Sequence, residues 1–337
     1  MNRGELSVLG ALAASPDGLT AGALAAAAES DVRATIEALL ARGHVRSHGN
    51  AFRLTPSGLE TLLRLHAEIE RAIDPSADAP GHEDAQSVPW LTTVRTCWTD
   101  ALSFNYAVDP SALARLLPRP LEPEVHRGSG WVQVLVSSLK GLRPQGLPSL
   151  FGATFCQVSY RAAVRYRGGD GRWRRGGFFT RSDTNDAVMR AVGNRLAEFK
   201  FHDFGAVTMT MLREGGNLIV GIEPEAARPG GALVAVVPTA PLPGPPEGSV
   251  WTALADLHEP LVECYDAFGV DEAKGFVYVL TIDRDPWNPV FVRPAEVYCE
   301  YFDTGPLGGG VARLDSALWI RECEYRWRPL RRERVPS

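Results

Sequence analysis

Residues 178–204 read FFTRSDTNDAVMRAVGNRLAEFKFHDF. A strand is expected over 178–182, a helix from Asn185 to about Ala197, and aromatic residues return at Phe199, Phe201 and Phe204. On either side, aromatic and β-branched runs at 132–136, 155–166, 206–212, 218–222, 276–282, 290–297 and 317–327 read as strands divided by Gly and Pro turns. Gly168-Gly169-Asp170-Gly171 and Glu214-Gly215-Gly216-Asn217 are hairpin loops. Only two further helices are expected, over 111–117 and around 257–268. So few helices cannot cover a large sheet. It has to close or fold on itself, as a barrel or a two-sheet α+β domain.

The 337 residues exceed one ordinary core and suit a small domain followed by a large one. Residues 74–89, DPSADAPGHEDAQSVP, have linker composition without periodicity. The expected division is 1–73, the linker 74–89, a β domain over 90–330 and a basic tail over 331–337. Hydrophobic content of 45% with 22% charged residues is ordinary globular composition, and no apolar run is long enough for a bilayer. No export signal opens the chain, so a cytoplasmic location is expected. The 5 cysteines are odd in number, widely separated and lack CxxC spacing. Reduced thiols are therefore expected, with no metal and no cofactor.

Leu6, Leu9, Leu12 and Ala13 share one face of a first helix, and Thr20 is placed to cap a second. Val32, Ile36, Leu39 and Leu40 stripe a third helix that Gly43 stops. Residues 44–48 and 51–55 form a hairpin about Gly49-Asn50, and Pro56 opens a closing helix to about Ile73. This order, with Leu39-Leu40-Ala41-Arg42-Gly43-His44-Val45 running into Phe52-Arg53-Leu54-Thr55-Pro56-Ser57-Gly58, resembles the winged-helix regulators of the MarR and related families. The resemblance implies a third helix in the DNA major groove and a wing on the backbone. It assigns DNA contact to Arg33, Arg42, His44, Arg46 and Arg53. A net charge of −5 gives that role no support from bulk charge, and winged helices also serve enzymes as dimerisation modules. Both roles stay open.

Phe178-Phe179-Thr180-Arg181-Ser182-Asp183, the Gly193-Asn194-Arg195 turn and Phe199-Lys200-Phe201-His202-Asp203-Phe204 together resemble the acetoacetate decarboxylase-like superfamily, in its YqjF-like branch. Val292-Arg293-Pro294-Ala295-Glu296-Val297 and Leu314-Asp315-Ser316-Ala317-Leu318-Trp319 extend the likeness. It implies a mostly antiparallel β domain enclosing a cavity, and with the winged helix an α+β chain. In the decarboxylases of this superfamily a Lys beside a second Lys forms a Schiff base with a β-keto acid, and an earlier Glu positions the substrate. Here the alignment sets Phe201 with His202, or His202 with Asp203, at the lysine positions, and Gln157 nearest the Glu. Lys200 falls one or two residues short. Schiff-base chemistry is not expected. The polar set left for the cavity is Gln157, Tyr160, Arg181, Asp183, Arg195, His202, Arg293 and Glu296, which suits a carboxylate or polyketone.

Two functions follow. One is a ligand-responsive, DNA-binding transcriptional regulator with a degenerate decarboxylase-like cavity. The other is a small-molecule enzyme, a lyase, dehydratase or cyclase acting on keto or polyketide compounds, with His202 and Asp203 in acid-base work and the winged helix used for dimerisation. The partners implied are a small organic acid or keto metabolite, DNA and a second copy of the chain, with no membrane.

Overall fold

The computed structural model describes residues 8–9, 12, 19–20, 24, 32–58, 61, 93–144, 153–186, 189–190, 194, 203–225, 228, 230–328 and 330–334. Near the N-terminus it holds β1 (Leu19–Thr20), α1 (Val32–Ala41), β2 (Val45–His48) and β3 (Ala51–Leu54). The three strands form an antiparallel sheet in the order β1-β3-β2. Gly43, at φ +72°, ends α1: its N–H returns to Leu40 O and that of His44 to Leu39 O, the paired bonds that satisfy orphan carbonyls at a helix C-terminus. Val8, Leu9, Leu12, Leu24, Ile36, Leu39, Val45 and Leu54 make a small core of their own. Thr20, expected to cap a second helix, pairs with Ala51 in β1, and residues 21–23, where that helix would begin, lie outside the described residues. The linker, and all but residues 56–58 and 61 of the expected closing helix, lie outside the described residues.

The larger unit begins with β4 (Val94–Val108), α2 (Pro110–Ala114), β5 (Glu122–Pro123), β6 (Gly130–Pro144), β7 (Ala153–Arg167) and β8 (Trp173–Thr184). It continues through β9 (Phe204–Glu214), β10 (Asn217–Pro224), β11 (Leu233–Pro238), the short helix α3 (Ala255–Leu257), a π turn (His258–Val262) and β12 (Asp266–Asp271). The last elements are β13 (Phe276–Arg284), β14 (Val290–Val292), β15 (Glu296–Cys299), α4 (Glu300–Asp303), β16 (Ala312–Trp327) and β17 (Arg331–Arg334). Pairing runs β8-β12-β13-β16-β4-β6-β7, and β7 pairs back onto β8, so these strands close on themselves as a barrel. The sheet β9-β10-β11-β15 leaves from β8 and packs against the barrel's outer face.

Alternation along β7 shows the two sides. Val158, Tyr160, Ala162, Val164 and Tyr166 enter the core shared with Val207, Leu218, Val220 and Ala235 of the flanking sheet. Phe155 and Ala163 turn the other way, toward Trp98, Trp131 and Leu135 and a plug formed by Trp251, Leu257, Leu261 and Val262. Pro260 sits inside the π turn, where it has no N–H to give to the helical ladder. The helix expected around 257–268 is therefore reduced to α3 and the π turn, after which Ala267 and Phe268 join the barrel in β12. The expected strand 290–297 is divided into β14 and β15 at Arg293-Pro294, where proline has no donor for a ladder. Residues 331–334, expected as tail, form β17 on β13, with Arg332 and Arg334 laid over the Phe276 ring. Asp109 caps α2, accepting from Ala112 N at 2.8 Å, so the helix starts at Pro110. Among the described residues no helix is long and apolar enough to cross a membrane.

Candidate functional site

Trp98 of β4, Leu135 of β6, Gln157 of β7, Phe179 of β8, Ala267 of β12, Arg284 of β13 and Tyr325 of β16 line one cavity of about 50 Å³. Every strand of the barrel contributes, so the cavity is an unfilled part of its interior. A water occupies roughly 10–15 Å³ on that measure, so there is room for a few water-sized groups. Trp98, Trp287, Tyr325 and Trp327 supply aromatic wall, while Gln157, Ser159, Arg161 and Arg284 supply polar groups.

Arg161 is 5% exposed. Its Nε donates to Gln133 Oε1 at 3.1 Å, and Nη2 donates to the same oxygen and to Leu261 O at 2.8 Å. Among the described residues the Nη1 edge has no hydrogen-bond partner. Arg284 stacks over Trp287 at 4.2 Å and over Tyr265 at 4.6 Å, and its Nη groups donate to Val262 O and Asp285 O. Leu261 and Val262 end the π turn, so both guanidiniums satisfy carbonyls that the turn leaves without partners. Among the described residues no carboxylate oxygen lies within 4.0 Å of either cation. Burial, and next the positive charge of Arg161, hold the Arg284 guanidinium below its ordinary pKa. Beside these cations Gln157 Oε1 and Ser159 Oγ are buried without hydrogen-bond partners. The Tyr325 phenol, which accepts from Trp98 Nε1 at 2.6 Å, is pushed well above its ordinary pKa by burial. Two cations, two unsatisfied neutral polar groups and aromatic walls can hold an anionic group and a neighbouring hydrogen-bonding group.

Of the expected cavity set, Gln157 lines this cavity. Tyr160, Arg181 and Asp183 do not. Tyr160 pairs with Arg181 and Val158 with Asp183, so the strand pleat turns all three to the outer core. There Arg181 Nε meets Asp183 Oδ2 at 2.6 Å, and the Tyr160 ring packs on Tyr301 at 4.4 Å. Arg293 and Glu296 are exposed on the flanking side of the unit, because Pro294 turns the chain between β14 and β15. Arg195 and His202 lie outside the described residues, and Asp203 is exposed, 3.8 Å from Arg228 Nη1. Reading the sequence missed Ser159, Arg161 and Arg284. A signal for the first two was present, since Phe155, Gln157, Ser159 and Arg161 recur at strand period, with polar character concentrated toward one end.

The chain has three lysines, Lys140, Lys200 and Lys274. Lys140 is exposed near the end of β6, Lys274 is paired with Asp271 at 3.2 Å, and Lys200 lies outside the described residues. Among the described residues no group of three His, Cys, Asp or Glu is placed to hold a metal. In the N-terminal unit Arg33, Arg42 and Arg46 are exposed, Arg53 faces Arg46 across the hairpin, and His44 Nδ1 lies 3.4 Å from Ser57 Oγ. Arg33 is paired with Glu37 at 3.3 Å, and Arg42 Nε donates to Ala38 O at 3.1 Å.

Known proteins share parts of this chain. The uncharacterized protein YqjF of Bacillus subtilis (strain 168) is 36% identical over 89 residues, which are 25% of this chain and 36% of that protein, so the matched part spans about a third of the relative's length. The structure is similar to acetoacetate decarboxylase from Legionella pneumophila subsp. pneumophila str. Philadelphia 1, with a TM-score of 0.48 at 12% identity over 79% of this chain and 95% of that one. It is also similar to the enduracididine biosynthesis enzyme MppR, solved with the condensation product of pyruvate and imidazole 4-carboxaldehyde, with a TM-score of 0.48 at 14% identity over 77% of this chain and 100% of that one. The DUF2071 family, described as an uncharacterized conserved protein, matches residues 95–301, which run from the first barrel strand into α4 and take in most of the cavity wall; the chain belongs to that family.

Proposed function

We propose that the chain binds a small organic acid in the barrel cavity, with its carboxylate on Arg161 and Arg284. One observation carries this reading: both cations line the cavity without a carboxylate partner among the described residues. A charge withdrawn from water is costly unless paired, and an anionic ligand supplies the pair. Gln157 and Ser159 then meet a keto, enol or hydroxyl oxygen on the same molecule, and the indoles of Trp98 and Trp287 hold its short apolar body. No His, Asp or Glu lines the cavity among the described residues, which favours binding over acid-base catalysis. Calorimetric titration with pyruvate and acetoacetate tests the reading. Binding to the wild type is expected, with Arg161→Gln and Arg284→Gln each weaker by roughly ten- to a hundredfold, the range for charge-assisted bonds. Absence of binding by any small acid, or indifference to both substitutions, would overturn it.

The exposure of Arg33, Arg42 and Arg46 favours a second reading, in which the N-terminal unit is a winged helix that binds DNA as a dimer and the cavity ligand is its signal. A gel-shift assay with the chain's own upstream DNA tests it. Arg42→Glu with Arg46→Glu is expected to abolish the shift, and an unchanged shift would count against it.

A further inference from the structure

We infer that Gln133 determines the cavity's preference for anions: it positions Arg161 with a neutral acceptor, which leaves the guanidinium charge uncompensated and free to meet the ligand. The inference rests on the cavity reading above and adds a residue that does not itself line the cavity.

A buried arginine ordinarily has a carboxylate beside it, because desolvating the cation alone is costly. This molecule contains such a case. Arg181 is 8% exposed, and its Nε lies 2.6 Å from Asp183 Oδ2. Arg161 is buried as deeply, yet its acceptors are the Gln133 amide oxygen and the Leu261 carbonyl. The orientation of that amide is fixed by chemistry. Arginine only donates, so Gln133 must turn its oxygen toward it, and Nε2 then donates to Ser103 Oγ at 3.0 Å and to Asn105 Oδ1 at 3.1 Å. Ser103 Oγ donates to Asn105 Oδ1 at 2.8 Å, and Asn105 Nδ2 donates to Ser316 Oγ at 3.1 Å. Ser103, Asn105, Gln133 and Ser316 come from β4, β6 and β16, are at most 2% exposed, and carry no charge. The network therefore fixes the Arg161 guanidinium on its Nε and Nη2 side and, among the described residues, leaves Nη1 without a hydrogen-bond partner. Geometry is supplied without neutralisation.

Gln133→Glu tests this directly, because it keeps the shape and adds the missing negative charge. The network can accept it. Turning the Asn105 amide over presents Nδ2 to the new oxygen and Oδ1 to the Ser316 hydroxyl, which rotates to donate. Melting temperature and calorimetric affinity are to be measured for the wild type, Gln133→Glu, Asn105→Asp and Arg161→Gln, with pyruvate and its uncharged amide as probes. Gln133→Glu is expected to melt at or above the wild-type temperature and to bind pyruvate more weakly by roughly tenfold or more, since the added charge cancels that of Arg161. Its discrimination between pyruvate and the uncharged amide is expected to shrink, which loss of packing alone would not produce. Asn105→Asp puts the charge one hydrogen bond farther away and is expected to weaken binding by about threefold. It decides the matter if Gln133→Glu does not fold. Wild-type pyruvate affinity in the folded Gln133→Glu protein, with Arg161→Gln impaired, would overturn the role of Gln133 and leave the cavity reading standing. Failure of the wild type to bind either probe would overturn both.

Discussion

A methyl group placed on Gly177 of β8 would lie 2.6 Å from Cδ of Arg161 and 2.7 Å from its Cγ. Gly177 pairs with Ala163 on β7 and with Ala267 on β12, so it sits where the barrel closes, and its missing side chain is the space through which the Arg161 stem passes. Gly177→Ala is expected to destabilise the fold by about 1–3 kcal/mol, the usual cost of overpacking, and to weaken acid binding severalfold by pushing the guanidinium out of register. Urea unfolding and calorimetry on the same variant check the two effects. A stable variant with unchanged affinity would show that the stem has room to move.

Acid binding is expected to be flat from about pH 6 to pH 9. The cations lining the cavity are guanidiniums and not imidazoles, a bound carboxylate stays ionised through that range, and the Tyr325 phenol stays neutral because burial raises its pKa. Titration with pyruvate at four pH values checks this. A fall in affinity between pH 6 and 8 would instead point to a histidine at the site, as the reading of His202 as a cavity residue implies.

Stability is expected to decline in alkali. Burial raises the pKa of the Tyr106, Tyr160, Tyr166 and Tyr325 phenols, and pushes the Cys299 thiol up to about 12 and the Cys323 thiol up to about 11. In the unfolded chain thiols titrate near roughly 8.5 and phenols near roughly 10. Above those values the unfolded chain has released protons that the folded one keeps, so it binds fewer protons and stability falls with rising pH. The urea midpoint should drop between pH 8 and pH 10.5. A constant midpoint would mean that the buried groups ionise in place.

Borohydride in the presence of acetoacetate is expected to trap no adduct. Lys140 and Lys274 stand away from the cavity, and neither cation within it is an amine. Mass spectrometry of the treated protein is the check, and a reduced adduct on Lys200 would establish Schiff-base chemistry.

What was legible in the sequence followed the length and contrast of its patterns. β7, β9, β10, β13 and most of β16 announce themselves through apolar alternation. The 15-residue strand β4 does not, because its inward positions Ser103 and Asn105 are polar and its outward ones, Leu102, Phe104 and Tyr106, are apolar, a pattern that also suits a strand wet on one face. Ser159 and Arg161 were missed as cavity residues for the same reason. Polar residues at alternate positions of β7 look solvated until the barrel closes over them. Arg284 carries no local signal, since only the tertiary fold brings the end of β13 against the π turn and Trp287. Gln157 was legible through its place in the family resemblance, whereas Tyr160, Arg181 and Asp183 came with it only because the pleat separating the faces had not been followed across β8.

Closure of the barrel depends on β16 pairing with β4 along almost its whole length, from Ala312 against Val108 to Trp327 against Val94. The first strand of the domain to leave the ribosome thus waits for nearly the last one to be synthesised. Such sequence-distant pairing is slow to form, and the waiting strands expose unpaired edges and apolar faces to other chains. Translation speed and chaperone capture should therefore govern the yield of folded protein. A chain cut before β16 would leave β4 open along one edge and the ring of strands unclosed.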